Sequence, residues 1–81
     1  MFCERFIATH PEAESWVTTY REKTTNRRGR TVFLDAWVRL PDWVIVTPRK
    51  FGGVIISHPR GRTLATAIWK EKEVEPSQWV P

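Results

Sequence analysis

Between Thr31 and Arg39 the chain alternates strictly. Val32, Leu34, Ala36 and Val38 occupy one set of positions, and Phe33, Asp35, Trp37 and Arg39 the other. A period of two is that of a β-strand whose two faces meet different surroundings, and it leaves an α-helix no coherent apolar face. The pattern returns from Thr63 to Lys70, where Leu64, Thr66 and Ile68 alternate with Ala65, Ala67 and Trp69. Trp43 to Thr47 and Val54 to Ser57 are apolar without polar alternation, as short strands covered on both faces are. The connections carry turn residues: Pro41 within Leu40 to Asp42, a glycine pair closing Pro48 to Gly53, and Pro59 and Gly61 within His58 to Gly61. Glycine there allows positive φ at no steric cost. Four or five short strands joined by tight turns predict a mainly β, antiparallel fold.

The N-terminal part is less uniform. Phe2 to Ala8, anchored by Phe2, Phe6 and Ile7, reads as a short strand. Thr9-His10-Pro11-Glu12 then matches a capping box, with the Thr9 hydroxyl set to accept from the Glu12 N–H and proline tolerated in the first turn. Ala13, Trp16, Val17 and Tyr20 share one helical face, which predicts a helix ending near Lys23. The β-branched and aromatic content of Trp16 to Tyr20 favours a strand instead; of the two readings the helix is preferred, and an α+β arrangement is the corresponding alternative. Thr24 to Arg30 has no apolar residue and contains Asn26 and Gly29, so it reads as a loop or hairpin turn. Lys70 to Glu73 alternates charge, as a solvated strand end or edge does. Pro76-Ser77 opens a last turn that delivers Trp79 and Val80. No repeat, low-complexity tract or linker is visible.

Asp42 to Val46, Phe51 to Ile56 and Thr63 to Trp69 together resemble the strand, glycine turn, strand, strand rhythm of SH3-like barrels. The resemblance implies a small antiparallel barrel. A curled meander sheet is the alternative, since an N-terminal helix has no counterpart in the simplest barrels.

A chain of 81 residues forms a single domain, residues 1–81, and a domain this small buries only about 60 to 65% of its unfolded surface. Five tryptophans and four phenylalanines supply a dense core in compensation. Cys3 is the only cysteine, which excludes an intramolecular disulfide. Met1 to His10 carries Glu4 and Arg5 inside its apolar stretch, unlike a signal peptide. The longest apolar run, Trp43 to Val46, falls far short of the roughly 20 residues a membrane span needs. A soluble protein of the cytosol, with no membrane partner, is expected.

Metal binding needs three or four converging ligands, and Cys3, His10 and His58 stand apart from one another. Each histidine precedes a proline and reads as a turn residue. Ser57 and His58 are neighbours, but neighbours on a strand point to opposite faces, and nothing in the spacing brings Asp35 or Asp42 to them. Gly52-Gly53 lacks the pattern of a phosphate loop. The expectation is a binding protein without enzymatic activity, metal or cofactor.

What stands out is charge. Residues 27–62 hold eight basic and two acidic side chains, a net +6, while the segments on either side each carry −1. Arg27, Arg28 and Arg30, then Arg49 and Lys50, then Arg60 and Arg62 all fall at predicted turns, and alternate turns of a meander emerge at the same end. Such a surface would attract nucleic acid through its phosphates, with weak sequence preference and with Phe51 and Trp43 as stacking platforms. The alternative is a protein-interaction module, or a small phage-type inhibitor of a larger, nucleic-acid-processing complex, presenting tryptophan and arginine hot spots. The apolar strands would equally suit a homodimer.

Overall fold

The computed structural model describes residues 1–50 and 52–68. The chain runs β1 (Phe2–Ala8), α1 (Pro11–Glu14), β2 (Val17–Thr19), β3 (Glu22–Thr25), β4 (Thr31–Val38), β5 (Ile45–Pro48), β6 (Gly53–Ser57) and β7 (Thr63–Ile68). All the strands join one antiparallel sheet in the order β2-β4-β1-β7-β6-β5, with β3 also paired to β4. The fold is mainly β, as the alternation requires, with one short helix; the sheet stays open rather than closing into a barrel. Of the two architectures weighed from sequence, the barrel does not form, and the meander holds only for β5, β6 and β7, which follow one another through tight turns; β1 lies between β4 and β7, neither of which is its neighbour in sequence.

β1 lies between β4 and β7 and is antiparallel to both. Its last residue, Ala8, faces Thr31 of β4 on one side and Ala65 of β7 on the other. β2 and β3 lie in line along the outer edge of β4, interrupted at Tyr20 and Arg21, where the Arg21 N–H still reaches the Leu34 carbonyl at 3.1 Å.

The core occupies one side of this sheet. Cys3, Phe6 and Ala8 from β1 meet Phe33, Ala36 and Val38 from β4, Val54 and Ile56 from β6, and Leu64, Ala65 and Ala67 from β7. Ala13 of α1 and Trp16 close over them. Five alanines in this cluster leave room for the rings of Phe6, Phe33 and Trp16.

The strict alternation of the sequence shifts by one step inside the sheet. Cys3 pairs with Ala36, and Phe6 with Phe33, so each strand passes from one core residue to the next in three positions instead of two. Asp35 sits at that level with φ of 49°, the one positive-φ residue other than glycine among those described. A left-handed residue turns the strand locally, and aspartate tolerates it better than most. The Asp35 carboxylate accepts from Arg21 Nε at 3.1 Å. Leu34, which alternation groups with Ala36 and Val38, is consequently half-buried and lies outside the core cluster that holds them.

The long helix expected up to Lys23 does not form: α1 stops at Glu14, and Val17 to Thr19 is a strand on β4. The capping box is not made either. The Thr9 hydroxyl donates to the Thr63 carbonyl at 3.0 Å, and α1 has no side-chain cap. β4 offered an unpaired edge, and β-branched Val17, Thr18 and Thr19 suit it better than a helix interior. Of the tryptophans, Trp16 is buried, Trp37 is half-buried against Phe2 with ring centroids 5.2 Å apart, and Trp43 is 44% exposed. The expectations for Phe51, Trp69, Lys70 to Glu73 and Pro76 to Val80 lie outside the described residues.

No helix among the described residues is long and apolar enough to cross a membrane. Cys3 is free and buried, and its burial pushes the thiol from 9.0 up to about 12, against a smaller lowering by the N-terminal ammonium.

Two outcomes follow from this packing. Asp35→Val forces a β-branched residue into the left-handed region and lowers unfolding free energy by about 1–2 kcal/mol relative to Asp35→Gly, measured by urea denaturation. Because the folded thiol ionises at a higher pH than the unfolded one, the Cys3 contribution is complete below about pH 9 and declines as pH rises toward 12. Wild type therefore loses more stability than Cys3→Ala between pH 9 and 11, a difference that parallel denaturation series would reveal.

Candidate nucleic-acid interface

Two of the three basic turns are built alike. In the β3–β4 turn the Asn26 N–H donates to the Arg30 carbonyl and the Gly29 N–H to the Asn26 carbonyl, both at 3.0 Å. In the β6–β7 turn the His58 N–H donates to the Arg62 carbonyl and the Gly61 N–H to the His58 carbonyl, both at 2.8 Å. Gly29 has φ of 75° and Gly61 of 105°. Each turn is a three-residue hairpin loop that needs a left-handed residue at its third position, which glycine supplies.

The first residue of each turn also locks it with its side chain. Asn26 Oδ1 accepts from the N–H groups of Arg28 and Arg30 at 3.0 Å, and His58 Nδ1 accepts from the Arg60 N–H at 3.0 Å. Asn26-Arg27-Arg28-Gly29-Arg30 and His58-Pro59-Arg60-Gly61-Arg62 are thus two copies of one device: an acceptor, then, after one intervening residue, Arg-Gly-Arg. This short repeat is present in the sequence and is missed when only longer periods are sought. The roles of Asn26 and His58 were missed with it.

The sheet decides where the turns stand. β4 and β7 both run antiparallel to β1, so both begin beside its C-terminal end, about 10 Å apart across the intervening strand. β7 begins two residues before its Ala65 partner to Ala8, which carries the second turn about 7 Å further out. Arg27, Arg28, Arg30, Arg60 and Arg62 therefore share one end of the molecule. Arg49 and Lys50 do not join them. β6 begins at Gly53 opposite Ile68, so the β5–β6 turn projects from the other end, beside a shallow groove of about 300 Å³ lined with Gly53 and Ile68. Its two glycines serve different needs: Gly52 has φ of 84°, whereas a Cβ on Gly53 would lie 2.9 Å from the Ala67 carbonyl oxygen.

Among the described residues, neutralisation at the shared end is slight. Arg62 lies 3.9 Å from Glu12, which is also 3.6 Å from His10, and these side chains are 40 to 53% exposed. Pairs so exposed and so long are worth little. Arg27, Arg28, Arg30 and Arg60 form no ion pair with the described residues. Trp43 stands at the same end, its ring 5.4 Å from that of His58 and 6.1 Å from that of Trp16. Phe51 lies outside the described residues.

Among the described residues no three histidine, cysteine, aspartate or glutamate side chains gather as metal ligands would. His58 Nδ1 is committed to the Arg60 N–H, so that nitrogen is not available as a base toward Ser57. A depression of about 480 Å³ near Asp35 is lined by Glu4, Arg5, Arg21, Leu34 and Ile68, and the Arg21 in it is already paired. No protein family, curated protein or solved structure matches the chain.

The double role of the Asn26 amide makes it the sensitive point of its turn. Asn26→Ala leaves two backbone donors without their acceptor and costs about 1–2 kcal/mol in chemical denaturation, with faster amide exchange at Arg28 and Arg30 and unchanged exchange at Arg60.

Proposed function

We propose that this protein binds nucleic acid, without catalysis, through the phosphate backbone and at the end of the sheet that carries the two matched turns. The observation that carries the reading is the convergence of Arg27, Arg28, Arg30, Arg60 and Arg62 on strands that flank β1. Five guanidinium groups on locked hairpins present fork-shaped donors suited to phosphate oxygens. Little backbone freedom is lost on binding, because the turns are already tied by their own hydrogen bonds. Contacts of this kind position a strand without reading its bases, so sequence preference is weak. The free, buried Cys3 fits a reducing compartment such as the cytosol.

A protein partner is the second reading, favoured by Ile45 and Val46, which are 47% and 41% exposed on strand β5 at the end of the strand order. A second copy of the chain is one form of it.

Titration of labelled DNA and RNA separates the readings. If all five arginines meet phosphates, affinity falls on the order of 10²-fold between about 50 and 200 mM salt. Arg28→Ala or Arg60→Ala weakens binding uniformly across sequences and lowers the salt slope by about 1, while Arg49→Ala, at the far end, leaves it unchanged. Absent or salt-insensitive binding ends this reading and favours the protein partner.

A further inference from the structure

We infer that the nucleic acid held at this end is single-stranded, with a base stacked on Trp43 while its phosphates meet the two turns. This rests on the backbone binding proposed above and adds what the ligand must be. Trp43 is a large apolar side chain left 44% exposed at the end that carries the arginines. It is nonetheless held on two sides. The buried Trp16 meets it at an interplanar angle of 76°, and His58 meets it at 57°. Neither neighbour lies parallel on the ring, so among the described residues the ring is held in place without being covered by a stacked partner.

His58 links the platform to the phosphate ligands. Its Nδ1 accepts from the Arg60 N–H, which sets the imidazole within the turn, and that imidazole packs on Trp43. The ring that would receive a base and the backbone of the turn that bears Arg60 and Arg62 are thus held together through His58. A duplex cannot use this unit, because its bases are already stacked on one another and offer only edges in the grooves. An unpaired base presents a whole face, and sequence-tolerant stacking beside cations is how single strands are held. Asp42, next to Trp43 in the chain and exposed, agrees with this assignment. A carboxylate there repels phosphate but accepts a hydrogen bond from a base amino group.

The test compares three ligands of equal length with the full chain: a single-stranded deoxyoligonucleotide, its duplex, and an abasic strand with the same phosphates. Wild type binds the single strand most tightly. Loss of the bases weakens binding roughly 5- to 150-fold, the range measured for one stacked base. W43A binds the natural strand as weakly as wild type binds the abasic one, and W43F retains most of the difference, with melting curves reporting that each variant is folded. Equal or tighter binding of the duplex, or an abasic strand held as well as the natural one, overturns the inference while leaving backbone binding in place. If none of the three ligands binds in a salt-dependent way, the proposed function fails and this inference fails with it.

Discussion

The pairing of β1 with two strands at once is the constraint from which the rest of the architecture follows. Antiparallel pairing on both sides obliges β4 and β7 to point the same way, so whatever precedes each of them must emerge at the same end. What precedes them is an Arg-Gly-Arg turn in both cases. The charge concentration at that end is therefore a product of strand direction and not of proximity in the chain, since 32 positions separate Asn26 from His58. The same arrangement sends the β5–β6 turn the opposite way and removes Arg49 and Lys50 from the cluster. Thr9 reinforces it. Its N–H donates to the Leu64 carbonyl and its hydroxyl to the Thr63 carbonyl, both at 3.0 Å, holding the exit of β1 against the start of β7.

Local pattern made much of the fold legible. The turns at Asn26 to Gly29 and His58 to Gly61, and the strands around Val32, Val54 and Leu64, are written in alternation and in glycine placement, which act over a few residues. What escaped is non-local. Residues 13 to 20 carry apolar positions compatible with a helix, and only the presence of an unpaired β4 edge tips Val17 to Thr19 into a strand; that edge is formed by residues far along the chain. Thr9 met the sequence requirement for a cap, but the helix begins one residue later, with His10 at the cap position, and the Thr9 hydroxyl is left to donate to a strand carbonyl. The step at Asp35 is likewise invisible to a periodicity count. Two strands must shift the face they bury together, and that happens only once Cys3 has met Ala36 and Phe6 has met Phe33.

For the candidate site, composition and turn position singled out seven basic residues, and strand order divides them into five arginines at one end and Arg49 with Lys50 at the other. The sequence contained a finer signal in the paired pentapeptides, whose first residues act as hydrogen-bond acceptors for the backbone two positions on. That asparagine and histidine fill one role is a matter of geometry: Asn26 Oδ1 and His58 Nδ1 both reach the N–H of the residue two positions ahead. Asparagine, with two lone pairs on Oδ1, takes a second donor as well; the single lone pair of a ring nitrogen does not allow it. The histidine turn has a flat ring in exchange, and Trp43 rests against it.

The lateral edges of the sheet bear on the choice of the end as the proposed interaction surface. β3 is fully exposed and carries Glu22 and Lys23, with Lys23 held 3.7 Å from Glu14 and 5.8 Å over the Phe33 ring, and β2 shifts register between Val17 and Thr19. Charge and irregularity are both means by which an edge discourages a further strand. β5, the last strand in the order at the other side, is apolar at Ile45 and Val46 but ends in Pro48, which has no N–H to offer a ladder. A partner strand added there would find at most a short stretch of donors. Exposed aliphatic side chains such as Ile45 and Val46 are common on protein surfaces, whereas five arginines at one end with one weak counter-charge among the described residues set up a local positive potential. Physical economy thus favours contact through the end where turns, charge and Trp43 coincide over contact through the sides.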